Sequence, residues 1–108
     1  MANTVAIVSP CGADSFFEIE RNLAYARECL HDSLMRGEAP FASHLLYTQV
    51  LDDRVAAQRE QGMLAGALWE IEAQLLAVYT DRGVSAGMRC SIARAQQLGI
   101  PVEERTLQ

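Results

Sequence analysis

The chain has 108 residues, 50% of them hydrophobic and 21% charged, a balance that fits one globular domain spanning residues 1–108 around one real core. Its formal net charge is −5, and all nine basic residues are arginines scattered along the chain. A bulk grip on nucleic acid needs clustered cations, so DNA and RNA are excluded as expected partners.

Three cysteines and two histidines, widely spaced, offer neither a disulfide framework nor a zinc knuckle. No metal and no cofactor are therefore expected, and a reducing compartment follows. The chain shows no basic leader, and its first apolar run, Val5 to Val8, is too short for a signal or a membrane span. These features set the expectation of a cytoplasmic protein with no membrane partner.

Thr4 to Val8 is a continuous β-branched run, which suits a central strand covered on both faces. A turn-rich loop follows, Ser9-Pro10-Cys11-Gly12-Ala13-Asp14. From about Phe17 to Arg36 the period becomes helical, with Ile19, Leu23, Ala26, Leu30 and Leu34 predicting one buried stripe. Glu18 and Glu20 near the start, Arg36 at the end and Gly37 beyond it match a helix dipole and a C-terminal stop.

Ala39 to Ala42 predicts a short second strand that delivers His44-Leu45-Leu46-Tyr47 into a loop closing near Asp52-Asp53. A second long helix is predicted over Val55 to Ala73, burying Leu64, Ala67, Leu68 and Ile71, with Gly62 and Gly66 marking a close approach to the sheet or to another helix. Leu75 to Tyr79 is a third, doubly buried strand, and Ala86 to Leu98 a third helix. Gly99-Ile100-Pro101-Val102 stops that helix and starts a fourth strand.

The alternation of strands and helices predicts an α/β fold, a three-layer Rossmann-like sandwich with a small, mostly parallel sheet of about four strands. Ligands in such sheets bind outside the carboxyl ends of the strands. That rule gathers Ser9 to Asp14, Ser43 to Tyr47 and Thr80 to Met88 at one edge. The candidate ligand-binding residues are Ser9, Gly12, His44, Tyr47, Asp81, Ser85, Gly87 and Met88. The helix start at Ser85 to Met88 offers backbone N–H groups to a phosphate, Asp81 can accept from ribose hydroxyls, and Tyr47 or Phe16 can stack on a base. Ser85 is also a plain helix cap, His44 a possible structural residue, and Asp52-Asp53 reads as solvated.

Val8-Ser9-Pro10, His44-Leu45-Leu46-Tyr47, Leu51-Asp52-Asp53, Asp81, Ser85-Ala86-Gly87-Met88 and Ala95 through Gly99-Ile100-Pro101-Val102 together resemble the small nucleoside 2-deoxyribosyltransferase-like proteins, short members of which are common in phages and mobile elements. The resemblance covers nearly the whole chain. It implies a Rossmann-like fold, a nucleoside or nucleotide ligand, and a homodimer or higher homo-oligomer whose site is completed by a neighbouring subunit. Enzymes of that family cleave an N-glycosidic bond with a glutamate one helical turn after the glycine of the strand-to-helix turn. The carboxylate attacks C1′ and carries the sugar as a glycosyl-enzyme.

Here that position is Ser91, a neutral hydroxyl, and Gln74 stands where the family has a sugar-binding aspartate before the third strand. The expectation is therefore a catalytically silent protein that binds, and sequesters, a nucleotide-like signalling molecule of the kind a phage would remove from its host. One alternative is an N-glycosidase or deoxyribosyltransferase with its acid relocated to Asp81, Glu70 or a second subunit. The other is a structural or interaction module with a decayed site.

Overall fold

The computed structural model describes residues 2–11 and 15–108. Its elements in chain order are β1 (Thr4–Val8), α1 (Phe16–Met35), β2 (Ala39–Phe41), α2 (Ser43–Tyr47), α3 (Ala56–Glu70), β3 (Leu75–Tyr79), α4 (Ala86–Leu98) and β4 (Val102–Arg105). The strands form one wholly parallel sheet in the order β2-β1-β3-β4, with Val5 beside Leu75 and Leu76 beside Val102. β1 and β3 are the central strands, and their uninterrupted apolar runs reflect cover on both faces. Pro40 cannot serve a central ladder and sits on the edge strand β2. The other edge, β4, carries Glu103, Glu104 and Arg105, charges that discourage edge-to-edge pairing.

Alternate side chains of the sheet feed two cores. Val5, Ile7, Leu75, Ala77 and Tyr79 pack with Tyr25 and Cys29 of α1. Ala6, Val8, Leu76 and Val78 pack with Met88 and Ala95 of α4 on the other face. The fold is thus a small three-layer α/β sandwich of Rossmann-like type. The chain moves outward from β1 to β2 and then returns to β3 on the far side of β1. That reversal makes the carboxyl ends of β1 and β3 the topological switch point, where open α/β sheets bind ligands.

Three local expectations are corrected. His44 to Tyr47 is helix α2 rather than loop. No side chain caps its start, so the sequence carried no N-terminal signal; Leu45 docking on the α1-side core and the Thr48 hydroxyl donating to the His44 carbonyl at 2.6 Å hold it instead. The buried face of α1 is Asn22, Tyr25, Ala26, Cys29 and Ser33, and Leu34 is exposed. Polar atoms set that rotation: the Tyr25 hydroxyl donates to Asp81 at 2.7 Å and the Ser33 hydroxyl to Glu38 at 2.7 Å.

The third correction concerns α3. Its glycine face turns inward onto α2, and Leu64 and Leu68 remain 65% and 59% exposed. A Cβ on Gly66 would lie 2.6 Å from Ser43 Oγ, and one on Gly62 would lie 3.4 Å from Leu51 Cδ1. The close approach required of these glycines is to α2, so this face is not available to a partner subunit. Helix ends follow the sequence more simply, with Gly37 (φ 81°) and Gly99 (φ 74°) taking left-handed conformations after α1 and α4.

The β4 edge is locked by Arg105, whose side chain is only 2% exposed. Its guanidinium donates to both oxygens of Glu38 at 2.7 Å and to Glu103 at 2.9 Å. Among the described residues, no helix is long and apolar enough to cross a membrane.

Candidate functional site

A cavity of about 560 Å³ opens at the switch point. Its floor is the end of β1 (Ile7 to Ser9) and the first turns of α4, and its other walls come from α2 and α3. Because α3 rests mainly on α2 and α4, space is left beneath it. Six of the eight predicted ligand-binding residues line this cavity: Ser9, His44, Tyr47, Ser85, Gly87 and Met88; Ser91 does too. Gly12 lies outside the described residues.

Asp81 is not among the lining residues. Its carboxylate accepts from the Tyr25 hydroxyl at 2.7 Å and from the Leu107 backbone N–H at 3.0 Å, tying the C-terminal segment to α1. Those bonds hold its pKa below the usual carboxylate range, the Tyr25 contact first. The predicted role on ribose is therefore corrected to a structural one. Phe16 is also outside the cavity and largely exposed.

Around the start of α4, capping and binding separate. Ser85 Oγ accepts from the Met88 N–H at 3.2 Å, and the Ser85 N–H faces Met88 Sδ at 3.3 Å. Two of the four backbone N–H groups from Ser85 to Met88 are thus taken up by the cap, and the Met88 side chain belongs to the core. Ala86 and Gly87 remain, since first-turn N–H groups have no partner four residues back. A Cβ on Gly87 would meet nothing closer than Ser85 Oγ at 4.0 Å, so packing does not demand glycine there.

Two clusters of ionisable groups give the cavity its chemistry. In the first, Cys11 Sγ donates to Asp53 Oδ2 at 3.8 Å. Burial, reinforced by Asp53, pushes the Cys11 thiol up to about 12, which makes it inert at neutral pH. His44 lies within reach of the Asp53 charge, yet burial outweighs that charge and lowers its pKa, keeping the ring neutral. His44 Nε2 is buried and has no hydrogen-bond partner among the described residues. Arg59 also lines this part and acts electrostatically on Cys11.

The second cluster joins α3 to α4. Glu70 accepts from Arg94 Nη1 at 3.2 Å, and the Ser91 hydroxyl is near enough to favour its ionised form. Burial raises the Glu70 pKa against the opposing pull of Ser91 and Arg94. A carboxylate therefore stands against the serine that replaces the expected nucleophile. Gln74, by contrast, precedes β3 at the opposite end of the sheet, where its side chain accepts from the Thr4 N–H at 2.8 Å. Its identity has no bearing on the cavity. Among the described residues no group of three His, Cys, Asp or Glu side chains is placed to hold a metal ion.

A family model described as a domain of unknown function, DUF7768, matches residues 3–105. The chain belongs to that family. A search of curated proteins gives no match.

For this DUF7768 chain, reading the sequence by loops left out Asp53, Arg59 and Arg94. Asp53 was taken as solvated together with Asp52, but the two diverge: Asp52 pairs with Arg54 outside at 3.1 Å while Asp53 turns inward to Cys11. Arg59 and Glu70 both lie on α3, eleven residues apart and thus three turns along one helix. That spacing was the available signal, hidden by the expectation that α3 faced the sheet through its leucines.

Proposed function

We propose that this chain binds a nucleotide or nucleoside derivative in the switch-point cavity and holds it without cleaving it. The observation that carries the reading is convergence: segments after β1, β2 and β3 line one cavity of about 560 Å³, within the range of small-molecule sites. The absence of an acid at Ser91 removes the covalent route of the enzymes the sequence resembles. The fitting role is sequestration of a signalling nucleotide. The expected homodimer belongs to the same proposal, supported by Leu64 and Leu68 left outward on α3, and is read by analytical ultracentrifugation.

The test is incubation of purified protein with nucleosides, nucleotides and NAD, followed by thermal-shift measurement and mass spectrometry for free base. A saturable rise in melting temperature with no free base supports the reading. Catalytic release of base sinks it.

One observation favours a second reading. Glu70, a partly buried carboxylate with a raised pKa near Ser91, supports its reading as the relocated acid of an N-glycosidase. Under that reading free base appears with wild-type protein and disappears with Glu70→Gln.

A further inference from the structure

We propose that the cavity takes a nucleoside phosphate monoester, with the anionic group on Arg59 and the base edge on Glu70. The inference rests on the reading of the cavity as a nucleotide-derivative site, and adds to it a charge requirement and an orientation.

The cavity is lined by two cations, and they are in different states. Arg94 donates to Glu70 at 3.2 Å, whereas Arg59 makes no ion pair among the described residues. An unengaged guanidinium in a cavity wall is a planar fork suited to a phosphate oxyanion. Cys11 donates to Asp53 at 3.8 Å, and both line the cavity with His44 and with Arg59, whose side chain is exposed. His44 Nε2 is buried and lacks a partner among the described residues, and a ligand group is a natural source of the missing bond. Asp53 balances Arg59 in formal charge, so the preference for an anion depends on Arg59 alone.

Glu70 lies roughly 16 Å from Arg59 along the axis of α3, at about 1.5 Å per residue. Its carboxylate accepts from Arg94 with the Ser91 hydroxyl nearby, and two carboxylate oxygens offer about four acceptor positions in all. The remaining capacity suits the N–H donors of a base edge, the part of a nucleoside monophosphate that extends furthest from its phosphate. Burial also raises the Glu70 pKa, and a ligand donor would favour its ionised form again. The cavity is thus polar at both ends, with Leu51, Met63 and Met88 among the apolar residues of its lining.

The test is isothermal titration calorimetry on the full chain with ribose, ribose 5-phosphate, inorganic phosphate, a pool of the four nucleosides and a pool of their 5′-monophosphates. Wild type is compared with Arg59→Gln, Glu70→Gln and, as a control on the exposed side of α1, Arg21→Gln, after circular dichroism confirms each fold. Phosphorylated probes should bind at least about tenfold more tightly than their unphosphorylated counterparts, and Arg59→Gln should reduce that ratio to within about twofold. Glu70→Gln should weaken the nucleoside 5′-monophosphates while sparing inorganic phosphate and ribose 5-phosphate, and Arg21→Gln should match wild type.

Equal affinity for nucleosides and monophosphates, or an unchanged ratio in Arg59→Gln, overturns the inference while the nucleoside pocket stands. Equal affinity for ribose 5-phosphate and the nucleoside 5′-monophosphates overturns the placement of the base on Glu70. If no probe binds at about 10 mM, a limit of very weak affinity, the pocket reading and the inference both fall.

Discussion

Gly66→Ala tests whether the cavity wall is built as described, because the glycine face of α3 is what brings α2 close. The new Cβ would stand 2.6 Å from Ser43 Oγ and 2.9 Å from Ser43 Cβ. Rotating the serine hydroxyl can relieve the first clash, but the second involves an atom fixed to the backbone of α2. Forcing one methyl into a filled contact costs about 1–3 kcal/mol, and alanine returns about 1 kcal/mol of helix propensity. Because Ser43 Cβ cannot move without its backbone, the upper part of that cost, about 2–3 kcal/mol, applies, and the net expectation is a loss of about 1–2 kcal/mol, or a melting temperature lower by roughly 5–10 °C for a domain of this size. Urea denaturation followed by far-ultraviolet circular dichroism measures it. Ser43→Gly removes both clashing atoms, so in the Ser43→Gly/Gly66→Ala protein the effect of the alanine should be recovered, with a coupling energy of about 1 kcal/mol or more. A Gly66→Ala protein as stable as wild type would refute the close packing of α2 on α3, and with it the shape of the cavity.

Glu38→Gln should destabilise the chain by about 2–4 kcal/mol at pH 7, because it leaves the buried Arg105 with only the half-exposed Glu103 as counter-charge. Arg105 holds the Glu38 carboxyl below its ordinary value, so the pair's contribution is present above that value and lost as pH falls through the depressed one; below about pH 4.5 the stability of the variant should fall with pH less steeply than that of wild type, and equal slopes would contradict the assignment. Asp81→Asn should weaken the hold on Leu107 and lower stability by about 1 kcal/mol, while the affinity for any ligand found by the binding panel stays within about twofold; a loss of binding would return Asp81 to the site. Thiol titration of the native chain should find one fast-reacting cysteine, the exposed Cys90 at the cavity, with Cys29 buried and Cys11 both shielded and pushed up to about 12. Cys90→Ser should remove that fast phase, and a bound ligand should slow it in the native protein.

The sheet was legible because β1 and β3 are uninterrupted apolar runs whose burial on both faces admits one strand arrangement. The loops at the switch point followed from that arrangement alone. Helix rotation was not legible. In α1 the leucine stripe was a poorer guide than Tyr25 and Ser33, whose hydroxyls bond to Asp81 and Glu38, residues distant or just beyond the helix. In α3 both the glycine and the leucine side could have faced inward on pattern alone; the steric demand of Ser43 decided between them. Asp53 and Arg59 joined the cavity only through that choice, which no local spacing could reveal.

Several departures from ordinary packing rules meet in the cavity, although Arg82 Nη1, outside it, is also buried without a hydrogen-bond partner among the described residues. Arg105, a far more buried charge, has both nitrogens of its fork on Glu38 and its Nε on Glu103, so burial there is fully compensated. Glu70 also has partners, but burial still raises its pKa against them. His44 Nε2 is buried without a bond, and Gly87 occupies a helix turn where a side chain would fit. Each of these weakens the isolated chain, by roughly 1 kcal/mol for the glycine and about 1–3 kcal/mol for an unpaired buried polar atom. Their coincidence in one space at the switch point is what a binding partner would offset, by bonding His44, donating to Glu70 and occupying the opening over Gly87.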